Sequence, residues 1–155
     1  MTKIIFSLTV SLIFFVHNIF AQTSQYQDKI ISAMALIEKI DTLPSNVLVD
    51  CIPKSDTAFS EFYALTYHKY DTLANLNSYY KLNDAFFYSA KSGNKIVYKY
   101  LLEMSMYVDG EYAESYYEDV ESLISHNKGL FCEVFSVLDK TKIDKLIEYY
   151  HDNCE

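Results

Sequence analysis

The sequence predicts an all-α protein: about three helical hairpins stacked as a right-handed α-α superhelix, behind an N-terminal export signal. Three observations predict it. Apolar residues recur at three- and four-residue steps, and no alternating pattern of the strand kind runs for more than a few residues. A motif of lysine, polar turn and tyrosine pair returns at intervals of 37 residues. Breakers are scarce: Pro44 and Pro53 are the two prolines, and Gly93, Gly110 and Gly129 all fall between predicted helices.

The first element is the signal, over residues 1–21. Lys3 supplies a short positive start, Ile4 to Val16 is an apolar run of 13 residues, and Ala21 is a small residue suited to cleavage. The run is too short to span a bilayer comfortably and no stop-transfer pattern follows. Residues 22–53 are read as an N-terminal helix and linker, and 54–155 as the repeated part, with 22–155 forming one compact domain. Helix one is expected over 24–41, with Ile30, Ile31, Met34 and Ile37 at helical spacing and Pro44 preventing continuation. Asn46 to Pro53 reads as a short apolar link carrying Val47-Leu48-Val49, with room for one helical turn. A second helix starts behind the Ser55-Asp56 cap and carries Phe59, Phe62, Tyr63 and Thr66. A third stretch, 72–91, holds Leu73, Leu76, Tyr80 and Phe87, with a break expected at Asn83.

Gly93 fits the left-handed position that ends a helix, and Asn94 caps the next one, over 95–108. Asp109-Gly110 turns the chain into a helix over 111–126, with Tyr112, Tyr116, Val120, Leu123 and Ile124 pointing inward. Asn127-Lys128-Gly129 turns it again. Helices over 130–138 and 141–152, the latter capped by Thr141, close the domain.

The repeat is carried by Lys54, Lys91 and Lys128, spaced 37 apart, and by Ser78-Tyr79-Tyr80 returning as Ser115-Tyr116-Tyr117. At the same offset Phe59 pairs with Ile96, Tyr63 with Tyr100, and Phe86-Phe87 with Leu123-Ile124. A last pair, Tyr149-Tyr150, follows after 33 residues. In unit length and layout, residues 54–152 resemble HEAT- and armadillo-type helical repeats. That resemblance implies a stack in which each hairpin buries its apolar face on its neighbours, and it names no function.

Charge narrows the function. The net charge is −8 and there is no Arg, the usual residue for reading phosphates and bases. Such a chain is a poor partner for nucleic acid or for an anionic membrane, so no membrane contact beyond the signal is expected. A basic protein suits it better. Self-association is a further expectation. Glu111, Glu114, Glu118 and Glu121 form one acidic stripe on the 111–126 helix. Neighbouring tyrosines on a helix diverge by about 100°, so one member of each pair among Tyr79, Tyr80, Tyr116, Tyr117, Tyr149 and Tyr150 must reach toward the surface. Tyr79, Tyr80, Tyr116 and Tyr117 with the four glutamates are therefore the candidate protein-binding residues. Solvated carboxylates and partly buried rings without a binding role are the plainer reading of the same pattern.

Motifs for nucleophilic, phosphate-binding and zinc chemistry are absent from the sequence. No catalytic residue, metal or cofactor is expected. His151-Asp152-Asn153-Cys154 gathers ligand types near the C-terminus, but three or four converging ligands are needed, and a frayed polar tail explains the run better. Of three cysteines, Cys132 and Cys154 lie on consecutive predicted helices and are the first pairing, with Cys51 left over; three reduced thiols are the alternative. The function that follows is an exported, non-enzymatic helical protein-interaction module, of which an inhibitor or immunity-type protein is one form. The rival is a small secreted or periplasmic hydrolase acting on cell-wall or glycan material.

Overall fold

A computed structural model describes the backbone of residues 25–40, 42–67 and 76–154, and the side chains of these except 65–67, 76–79 and 142. The signal assigned to 1–21 lies outside the described residues. These residues form eight α-helices and two short 3-10 turns, with no strand among them: α1 (25–37), α2 (Ser45–Cys51), α3 (Asp56–Tyr67), α4 (Leu76–Lys91), α5 (Lys95–Met104), α6 (Gly110–His126), α7 (Lys128–Ser136) and α8 (Ile147–Cys154). No helix among the described residues is long and apolar enough to cross a membrane.

α1 buries Ile30, Ala33, Met34 and Ile37 at helical spacing, but Ile31 turns outward. It stops at residue 37, short of the expected 41. The short apolar link is a two-turn helix, α2, because Leu48 and Cys51 both sink into the core. Pro44 stands at its N-cap, where its missing N–H costs nothing. Ser55 accepts the Ala58 N–H at 3.2 Å and opens α3, whose Phe59 and Phe62 are buried.

α4 runs through Asn83 without the expected break. The Asn83 amide is engaged elsewhere: its oxygen accepts the Tyr112 hydroxyl at 2.7 Å and its nitrogen donates to Asp119 at 3.4 Å, so it does not compete for the helix backbone. α4 ends in a Schellman motif. Gly93 takes φ +94°, the Asn94 N–H reaches the Ser89 carbonyl, and the Gly93 N–H reaches that of Ala90. Asn94 then accepts the Val97 N–H and donates to Ser45 and Ser89, so one residue ties α2, α4 and α5 together.

α4 packs most extensively on α5 and also lies against α6. α5 packs on α7, α6 on α7, and α7 on α8. α6 buries all five residues expected inward: Tyr112, Tyr116, Val120, Leu123 and Ile124. Asn127 ends α6 and, by accepting the Leu130 N–H, begins α7, so a single residue turns the chain and Gly129 is already helical.

The closing segment departs from expectation. Thr141 caps no helix. Asp139 accepts its N–H and hydroxyl at 3.1 and 2.7 Å, opening a 3-10 turn over Lys140–Lys142. A second turn follows over Asp144–Leu146, and α8 begins only at Ile147. Ile143 and Leu146 are fully buried, and sinking two residues three apart favours the tighter three-residue winding.

The 37-residue register holds at some positions and fails at others. Phe86-Phe87 and Leu123-Ile124 are all buried, but Phe59 is 7% exposed where its partner Ile96 is 61% exposed. Lys54 lies before α3, Lys91 ends α4 and Lys128 begins α7, so the three lysines occupy three different settings.

Candidate functional site

α6 determines the surface. Its inward face is apolar and aromatic, and the opposite face carries Glu111, Glu114, Glu118 and Glu121, all exposed. No lysine among the described residues forms an ion pair with any of them. Ion pairs among the described residues lie elsewhere, at Lys29–Asp50, Lys81–Glu38, Lys95–Glu133 and Lys99–Glu103.

The tyrosines divide. Tyr116, offered as a binding candidate, is 1% exposed and its hydroxyl donates to the Leu101 carbonyl at 2.6 Å. It belongs to the core, because α6 turns it onto α5. Burial, with Tyr117 beside it, raises its phenol well above the ordinary range. Tyr117 is half-buried, with its ring at 75° to that of Tyr116. Tyr80 is 56% exposed, while the side chain of Tyr79 lies outside the described residues.

The residue that joins the acidic stripe to an aromatic surface is Tyr149 of α8. Its ring is parallel to that of Tyr117, within 1°, at 6.4 Å between centroids. Its hydroxyl donates to Glu121 at 3.2 Å. Burial raises the Tyr149 phenol, and the bonded Glu121 carboxylate raises it further, with Glu148 adding to the effect. Burial and Asp144 raise that of Tyr117. Asp119, at the edge of the stripe, is raised chiefly by burial, against which the Asn83 hydrogen bond and Lys91 act.

Cys132 and Cys154, the first pairing from sequence, form a disulfide that fastens the end of α8 to α7. Cys154 is thereby unavailable as a thiolate ligand in the His151-Asp152-Asn153-Cys154 run. Among the described residues no three His, Cys, Asp or Glu side chains gather where a metal could sit. Cys51 is free and buried, and burial with Asp50 nearby pushes its thiol up to about 12, so it is inert at neutral pH.

Sequence reasoning missed one feature. A groove of about 780 Å³ lies between the end of α1, α2 and α4, floored by Leu43 and Leu48 and flanked by Ile40 and Tyr88, the latter 67% exposed. Lys81, Asp84 and Tyr88 repeat at three- and four-residue steps along α4 and were the available signal. The other wall comes from segments distant in sequence. Neither this groove nor the smaller ones along α5–α7 and α1–α2 is lined by a residue of the acidic stripe. No family model, curated protein or solved structure matches this chain.

Proposed function

We propose that the chain is an exported, non-enzymatic helical module that binds a basic protein through the exposed face of α6. The observation that carries this reading is the stripe of Glu111, Glu114, Glu118 and Glu121, solvent-facing and unpaired with any described lysine, in a chain of net charge −8. Charge of one sign on one face steers association with a partner of the other sign. An inhibitor or immunity-type protein that covers a basic toxin or enzyme is the specific form we favour. In its finer architecture, the chain is a degenerate superhelical stack of about three helical hairpins. The packing of α4 on α6 and of α5 on α7 supports this reading.

Two measurements test it. N-terminal sequencing of the protein recovered outside the cytoplasm is expected to begin at Gln22; a chain still starting at Met1 overturns export with cleavage. In affinity capture from the envelope and secreted proteins of the source cell, a basic protein is expected to be retained at low salt and released at high salt. The double variant Glu114→Lys, Glu118→Lys is expected to lose it. Retention unchanged by both salt and variant overturns the role of the stripe.

A further inference from the structure

We infer that the solvent side of the Tyr117–Tyr149 pair seats an arginine side chain of the basic partner, with the rings stacking on the guanidinium and Glu121 accepting its N–H groups. This rests on the reading of the chain as a binder of a basic protein, and it names the chemistry of the contact. The two rings come from different helices, stack in parallel and are both only half-buried, so each keeps part of its surface toward solvent. A planar guanidinium stacks on an exposed aromatic surface better than an ammonium does. The hydroxyl of Tyr149 on Glu121 fixes one ring and leaves the second carboxylate oxygen for a donor.

The carboxylates of both helices bear on the two rings. Asp144 raises the Tyr117 phenol, and Glu121 and Glu148 raise that of Tyr149, in each case beside the larger effect of burial. Lys145, adjacent to Asp144, donates instead to the Val108 carbonyl at 3.4 Å. Other half-buried tyrosines already carry a cation from the chain itself. The Lys54 ammonium lies 4.4 Å from the centre of the Tyr100 ring, and that of Lys140 lies 6.0 Å from Tyr150. Among the described residues no cation lies over Tyr117 or Tyr149, and the chain has no arginine of its own to place there.

The test is a titration of protein expressed from the full chain, with ring-labelled tyrosine, by an acetylated tetra-arginine amide, with tetra-citrulline as the uncharged control. The expected result is a saturable, salt-sensitive shift of the Tyr117 and Tyr149 ring signals that citrulline does not produce. Glu121→Gln keeps an acceptor for Tyr149 and removes the charge, and is expected to weaken the peptide about three-fold. Tyr149→Leu is expected to weaken it at least as much. If the peptide binds with salt sensitivity but shifts other tyrosines and ignores both variants, the arginine seat is wrong and the acidic-face reading stands. If it binds nowhere, both fail.

Discussion

α6 and α8 carry the same local signature, a pair of adjacent tyrosines followed by acidic and histidine residues, and they are held in opposite ways. α6 has 17 residues and buries five of them. α8 has eight residues and buries none. In α6 the pair splits between core and surface, Tyr116 inside and Tyr117 at the edge. In α8 both tyrosines stay at the edge, Tyr150 stacked on Phe135 at 4.5 Å and Tyr149 on Tyr117. A long amphipathic helix is anchored by burial, each fully buried apolar side chain stabilising by about 1.5–3 kcal/mol. A two-turn helix without buried positions falls far below the length that is stable alone, and the Cys132–Cys154 bond supplies what burial does not. The proposed arginine seat lies where these two helices meet.

The sharpest way to break this contrast is Tyr116→Ala. It removes a buried ring and leaves the Leu101 carbonyl without its donor, and is expected to cost about 3–5 kcal/mol in urea unfolding. A cost below about 1 kcal/mol would mean that α6 is not anchored by its buried face. Next is the double variant Cys132→Ser, Cys154→Ser. Opening a link across 22 residues is expected to cost about 3 kcal/mol. Hydrogen exchange should show α8 amides released first while α4–α6 stay protected; simultaneous release of α6 would remove the distinction between the two helices.

A smaller effect separates two buried tyrosines. Tyr116→Phe loses a hydrogen bond and is expected to cost about 1 kcal/mol. The Tyr98 hydroxyl of α5 is buried with no hydrogen-bond partner among the described residues, so Tyr98→Phe is expected to leave the melting temperature unchanged or raise it. Equal losses in the two variants would show that the hydroxyl on Leu101 does nothing for the anchoring of α6.

The smallest effect concerns Asp119, on the border between the two faces of α6. Burial holds its carboxyl above the ordinary carboxylate range, so the folded chain binds that proton more tightly than the unfolded chain does. Ionised Asp119 therefore subtracts from stability above that range, and the deficit disappears as pH falls through it. Asp119→Asn is expected to shift stability by less than about 0.5 kcal/mol, upward at neutral pH, with the difference from the parent shrinking in acid. A urea midpoint that falls at neutral pH would show that the carboxylate is held favourably by Asn83 and Lys91.

Much of the fold was legible because local chemistry decides it. The Gly93-Asn94 stop and start, the Ser55 cap, and the inward set of α6 follow from backbone sterics, capping and a period of 3.6. The pairing of Cys132 with Cys154 followed from their places on consecutive helices. Other positions were not legible for equally specific reasons. Ile31 has the same character as Ile30 and faces water because α1 offers one buried stripe only. Asn83 reads as a breaker until Tyr112 and Asp119 arrive to occupy its amide. Thr141 reads as a cap until Ile143 and Leu146 draw the chain inward and delay α8.

The sequence by itself determined that the described chain is helical, where α3, α5 and α6 start and α4 and α6 stop, and that α6 has one apolar and one acidic face, because each depends on residues within a few positions of one another. Only the tertiary structure decided which tyrosine of a pair meets solvent and that Tyr149 comes to lie against Tyr117 and Glu121. It alone built the groove between α1, α2 and α4. Those outcomes depend on how helices distant in sequence share a limited amount of buried space.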